Sequence, residues 1–283
     1  MKKRKLELAV LSDIHLGSLA CHADELLSYL SSIKPKRLVL NGNIIDVQEL
    51  SKGYFPSSHM KVIKKIIGMA AQGTEVIYVT ANGDKNIQKL NEFSMGKLNI
   101  VNKLVLQLDG KNAWFFHGGI LDCSISKIRW LSKLGIKNHN VLTTLNNIHK
   151  WILFKTKREP LPKTEETKQD YNTCFENYVV DMAISNTYDY VICGHLQEQK
   201  KKHHHTEKGK CTYLNSGDWV KNLTALEYAF KRWKVYKYDS DKLLPFYVDE
   251  DIKNIDMHDL ITKITLQKEQ EKQGDLPIDD GAL

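Results

Sequence analysis

An aspartate and a histidine one residue apart, Asp13-x-His15, stand where the apolar run of residues 5 to 12 ends. A carboxylate and an imidazole so placed can hold a divalent cation or carry a proton. Polar residues close other apolar runs in the same way: Gly42-Asn43-x-x-Asp46, Asn82-Gly83-Asp84, His117-Gly118 and Gly194-His195-x-Gln197. Any one of these taken alone reads as an ordinary strand end. Their recurrence in order along the chain reads instead as a single constellation, because the carboxyl ends of strands in an α/β sheet line one crevice.

The elements that must position these residues follow from the hydrophobic pattern. Residues 5 to 12, 37 to 45 and 75 to 82 read as buried strands, separated by a helix at about 22 to 33 and a capped helix at 57 to 73 that closes at Gly73. Two apolar runs around Asp109-Gly110 predict a hairpin over 103 to 118 whose second strand delivers His117. Residues 124 to 186 lack strand alternation and read as helices, interrupted at Pro160 and Pro162. Strands resume at 188 to 195, 211 to 217 and 225 to 238, and the chain beyond about 240 is polar and charged, as in a partly disordered tail. The expected fold class is therefore α/β, with mixed sheets flanked by helices in a sandwich. Residues 1–240 form the domain and 241–283 the tail.

Composition narrows the possibilities. The basic start is followed by an apolar run that Glu7 and Asp13 interrupt, so no signal peptide is expected, and no stretch reaches the roughly 18 apolar residues of a membrane span. The five cysteines are scattered and form no C-x-x-C pair, which argues against a disulfide framework and for the cytoplasm. A net charge of +7 favours anionic company. The recognised basic and aromatic motifs of nucleic-acid modules are missing, so nucleic acid is not the expected partner.

The ordered blocks resemble those of the calcineurin-like metallophosphoesterases, whose pattern is D-x-H, G-D-x-x-D, G-N-H-D or G-N-R-D, H-G-D and G-H-x-H. The helical insert and the run Tyr213-Leu214-Asn215-Ser216-Gly217-Asp218-Trp219 are similar to the branch containing the UDP-2,3-diacylglucosamine diphosphatases of lipid A synthesis. The resemblance implies a metallophosphoesterase fold with a helical lid insertion at about 124–186. It also implies a metal-binding set at Asp13, His15, Asn43, Asn82, His117, His195 and Gln197. Lys127, Arg129 and Trp130 of the basic insert would contact substrate, and such a lid could rest on an anionic membrane.

Four positions depart from the pattern. Asn43 replaces the bridging Asp, Gly83 the catalytic His or Arg, Gly119 the Asp of H-G-D, and Gln197 the last metal-binding His; Ala81 for Gly is milder. Two divalent ions bring four positive charges, and an amide at 43 contributes no charge to hold them together. The expectation is one divalent metal, Mn, Fe or Zn, at Asn82, His117 and His195, without two-metal loading. Asp46, Asp84 and Asp122 are expected to buttress loops. Two functions follow: a pseudoenzyme that binds a phosphorylated small molecule or a protein partner, or a residual single-metal phosphohydrolase acting on a pyrophosphate-linked nucleotide-lipid. Lys200-Lys201-Lys202-His203-His204-His205 reads as a solvated loop tip rather than a metal site.

Overall fold

The computed structural model describes residues 2–46, 49, 53–81, 84, 93–121, 165–244 and 262. Its first strand, β1 (Arg4–Leu11), is apolar on both faces: Leu8 and Val10 enter one core, Ala9 and Leu11 another, and all four are fully buried. Such a strand must lie inside a layered molecule. Parallel to it run β2 (Ile33–Asn41), β3 (Glu75–Val79) and β5 (Leu98–Val101), with the short β4 (Ser94–Met95) antiparallel at the edge. On the other side β11 (Thr224–Ala229) and β12 (Arg232–Lys237) add antiparallel, giving a seven-stranded sheet of order β12-β11-β1-β2-β3-β5-β4.

The second sheet has five strands in the order β6-β7-β8-β10-β9, namely β6 (Leu104–Leu108), β7 (Lys111–Phe115), β8 (Tyr190–Cys193), β10 (Gly209–Asn215) and β9 (Lys200–Thr206). Leu8, Val10, Val39 and Ile77 of the first sheet meet Phe115, Ile192 and Leu214 of the second in a common core. Helices α1 (Ala23–Ser32) and α2 (Ser57–Ala71) cover the outer face of the first sheet through Leu26, Leu30, Val62 and Ile66. Helix α3 (Glu165–Ser185) covers the second through Phe175, Val179 and Ala183. This is the expected α/β sandwich of mixed sheets with flanking helices. No helix among the described residues is long and apolar enough to cross a membrane.

Several elements differ from the sequence reading. Strand β2 begins at Ile33, directly after α1, and ends at Asn41 rather than 45. Pro35 is accommodated because β3 pairs with β2 only from Arg37 onward. Helix α2 closes at Gly73 (φ 98°), but its N-cap is Pro56, with no side-chain cap. Strands β4 and β5 were not expected. The largest correction is residues 200–205, which form the edge strand β9 rather than a loop tip. A run with no apolar residue carries no strand periodicity, and here alternation works on charge: Lys200, Lys202 and His204 reach the buried Glu176 of α3 at 2.7, 2.8 and 2.8 Å. Of the expected insert, α3 is described. Lys127, Arg129 and Trp130, like the tail beyond 244 apart from Thr262, lie outside the described residues.

Burial pushes the Glu176 carboxyl up, and the hydrogen bonds and charges of Lys200 and Lys202 outweigh it, leaving the group below the ordinary glutamate value. A carboxylate depressed on folding contributes stability that is present above its unfolded pKa and lost as pH falls through the folded one. Glu176→Gln should therefore lower the melting temperature near pH 7. In a melting series against pH the gap from the parent should shrink below about pH 4.5; a gap that persists at low pH would mean packing, not charge, ties β9 to α3.

Candidate functional site

Four of the polar blocks leave their strands at the same end of the sandwich. Asp13 follows β1, Asn43 follows β2, His117 follows β7 and His195 follows β8. The chain turns abruptly after each strand: Asp13, His15, Asn43, His195 and Gln197 all take the left-handed backbone, with φ between 51° and 70°. That region is uncommon for residues other than glycine and marks backbone held in place by its surroundings. The turns are locked to each other by main-chain bonds, Asp13 N–H to Gly42 O at 3.1 Å, His15 N–H to Asn43 O at 3.0 Å and Trp219 N–H to Asp13 O at 3.2 Å.

Asp13 is the centre of the cluster and is buried. Its Oδ1 lies 3.0 Å from Asn43 Nδ2 and 3.0 Å from His117 Nε2, and its Oδ2 accepts the His195 backbone N–H at 2.9 Å. Burial raises its pKa, but the adjacent His117 charge and these hydrogen bonds prevail and hold the carboxyl well below the usual carboxylate range. Asp13 is thus ionised, with its charge answered by protein donors. The His117 and His195 rings meet edge to face at 5.5 Å between centroids. His15 stands between two carboxylates without hydrogen-bonding either, 3.9 Å from Asp13 and 3.7 Å from Asp46.

The remaining expected residues divide. Asp84 buttresses a loop as anticipated, accepting from Ala81 N–H at 2.8 Å and Tyr78 Oη–H at 3.0 Å; Asp46 likewise accepts from Glu49 N–H at 3.1 Å. Gln197 is exposed, and its backbone carbonyl accepts from Asn222 Nδ2 at 2.8 Å while its side chain makes no hydrogen bond to the cluster. Asn82, Gly83 and Asp122 lie outside the described residues. Sequence reasoning did not identify Ser12 and Ser216, whose hydroxyls meet at 2.6 Å beneath Asp13, with Ser12 also donating to Gly217 O at 2.8 Å. Small polar residues 204 positions apart leave no pattern to read. The run from Tyr213 to Trp219 supplies part of this buried support: Trp219 is fully enclosed against Tyr29 at 5.5 Å.

Among the described residues no group of three or more His, Cys, Asp or Glu side chains could hold an ion. The triangle of Asp13 Oδ1, His117 Nε2 and the Asn43 amide, however, has edges of 3.0, 3.0 and 3.2 Å. Ligands at about 2.1 Å around an octahedral ion stand about 3 Å apart, so one face of such a shell fits. Asn43 presents its NH2 here, so coordination requires the amide to turn over and give up its bond to Asp13.

No family model matches the chain, and no curated protein matches it. Among solved structures the chain is similar to an archaeal phosphodiesterase (12% identity, TM-score 0.38, covering 81% of this chain and 98% of that one). It is also similar to a predicted phosphoesterase from Streptococcus pneumoniae (15%, 0.35, 84% and 92%). A third is the Zn2+ complex of Vps29 from Entamoeba histolytica (13%, 0.35, 82% and 98%).

Two glycines give the cluster opposite tolerances. A methyl group at Gly194 would stand 2.5 Å from Ser12 Oγ and 2.9 Å from Asp13 Oδ2, whereas at Gly119 it would be 3.7 Å from the His117 and His195 rings. Gly194→Ala should lose about 1–3 kcal/mol of unfolding free energy by overpacking. Gly119→Ala should stay within about 0.5 kcal/mol. Urea denaturation of the two variants checks this, and equal losses would show that the loop after β8 yields freely.

Proposed function

We propose that the chain is a metallophosphoesterase-type protein whose degenerate centre binds a phosphorylated ligand, with no more than one divalent ion and without efficient turnover. The observation that carries this reading is the bond from Asn43 Nδ2 to Asp13 Oδ1. Where a bridging carboxylate would draw two cations together, an amide donor here occupies the oxygen that would face them. The charge of Asp13 is satisfied by Asn43, His117 and the His195 N–H, so the cluster is self-consistent without metal.

A second reading, a residual one-metal phosphohydrolase, is favoured by the 3.0–3.2 Å triangle. Asp13, His117 and the turned Asn43 amide would hold the ion, with His195 beside them, whereas the set expected from sequence is Asn82, His117 and His195. A bound ion would supply Lewis-acid polarisation of a phosphoryl oxygen. The chain's own part is orientation. Ser12, Ser216 and the left-handed turns fix Asp13, and the edge-to-face contact fixes the two imidazoles.

For the ligand, the resemblance and the basic insert support a phosphorylated small molecule, with a pyrophosphate-linked nucleotide-lipid of the UDP-diacylglucosamine kind as the first candidate. Lys127, Arg129 and Trp130 would grip it, and the insert would bring the protein to an anionic membrane face from the cytoplasm.

Elemental analysis after manganese loading, paired with hydrolysis of a generic phosphodiester and of UDP-diacylglucosamine, tests the proposal. The parent should bind at most one ion, show no turnover above background, and be stabilised by ligand, by about 2.7 kcal/mol at a hundred times the Kd. The triple variant Asn43→Asp, Gly83→His, Gln197→His should take up a second ion and gain hydrolysis. Two ions and turnover in the parent would overturn the pseudoenzyme reading.

A further inference from the structure

At the other end of the sandwich the edges of the two sheets leave a cavity of about 540 Å³ between β9 and β12. It opens beside Lys111 and Tyr190, the first residues of β7 and β8. Lys111 and His117 are six positions apart along one strand and its exit, roughly 20 Å at about 3.3 Å per residue, so the cavity is separate from the Asp13 cluster. Its lining is strongly basic. Lys111, Lys201, Lys210, Lys231 and Arg232 face it against one carboxylate, Asp189, which already accepts the Asn112 N–H at 2.9 Å. Lys210, Arg232 and His205 have no carboxylate partner among the described residues.

We propose that this cavity is a second anion site, which takes a ligand carrying several phosphate groups. Cations gathered in a concave, partly low-dielectric site attract such a ligand far more strongly than the same charges spread over a surface. The floor is apolar, Tyr190 and Trp233 meeting edge to face at 6.0 Å. Both rings are buried, at 8% and 5% exposure, and neither offers the open face on which bases of a single strand stack. The volume suits a small polyphosphate rather than a polymer. Some of the cations are already positioned: Lys201 Nζ donates to Trp233 O at 3.0 Å, and Lys111 Nζ lies 5.5 Å from the Tyr190 ring centre.

The phosphates could belong to a soluble molecule or to a lipid headgroup. Phe230, at the tip of the β11–β12 hairpin beside Lys231 and Arg232, is 93% exposed, and an apolar side chain so placed would enter a bilayer while the cavity held the headgroup.

Calorimetric titration of the full chain with tripolyphosphate is the test. Saturable binding is expected, with one site weakened at least about tenfold by Lys210→Glu with Arg232→Glu. Lys61→Glu with Lys103→Glu, an equal change of charge elsewhere, should weaken it less than about twofold. Phosphate bound at the Asp13 cluster would survive Lys210→Glu with Arg232→Glu as a separate component, which keeps the two sites apart. Equal loss in both double variants, no saturable binding, or tighter binding of a ten-residue oligothymidylate would overturn the proposal. Vesicles of phosphatidylcholine with 10% phosphatidylinositol bisphosphate then distinguish the sources. A lipid source gives tighter binding to vesicles than to tripolyphosphate, reduced by Phe230→Ser, and a soluble source gives neither effect.

Discussion

The ionised carboxylate of Asp13, buried where the two sheets come together, sets the conditions for everything around it. Removing a carboxylate from water costs several kcal/mol even after the protein relaxes, and that cost is offset only if donors surround the group. Here each donor comes from a different strand exit. Asn43 arrives from β2, His117 from β7 and the His195 N–H from β8, so the carboxylate joins the first sheet to the second. Ser12 and Ser216 bridge the same two sheets from below.

Such a junction explains why the strand exits are so constrained. The left-handed turns at Asp13, Asn43 and His195 aim side chain or amide back at one point, and each is disfavoured in isolation. The sandwich core makes them tolerable, because β1, β2, β7 and β8 are fixed by burial before the turns begin. Gly42 and Gly194 leave room for the same convergence: a side chain at Gly42 would strike the His117 ring, and one at Gly194 the Ser12 and Asp13 side chains. The backbone has been shaped around polar contacts rather than around a cavity.

Much of this could be read in the sequence because apolar runs ending in polar residues are a direct record of strands leaving a core. The β1, β6–β7, β8 and β11–β12 assignments, and the convergence of Asp13, Asn43, His117 and His195, rest on that signal. What escaped had no such record. Strand β9 is built from lysine and histidine, and its alternation is visible only once Glu176 is known to lie beneath it. The direct contact of His117 with Asp13 escaped for a different reason: a motif assigns residues to metals, and says nothing of how they settle against one another when residue 43 is an amide.

The amide at position 43 is the decisive feature of the site. Two carboxylates with oxygens about 3 Å apart repel by on the order of 5 kcal/mol at an effective dielectric constant of about 20, so an aspartate at 43 would demand cations to keep this geometry. The asparagine reverses the sign of the interaction, its NH2 becoming a donor to the same oxygen it would otherwise repel. With aspartate at 43 the cluster would need cations to hold this shape; with asparagine, hydrogen bonds hold it. Any ion that enters must first displace a satisfied hydrogen bond, turning the Asn43 amide over and separating His117 Nε2 from Asp13. Under the reading proposed above, a ligand's phosphate would meet the imidazoles of His15 and His195 beside an Asp13 carboxylate already answered by Asn43 and His117.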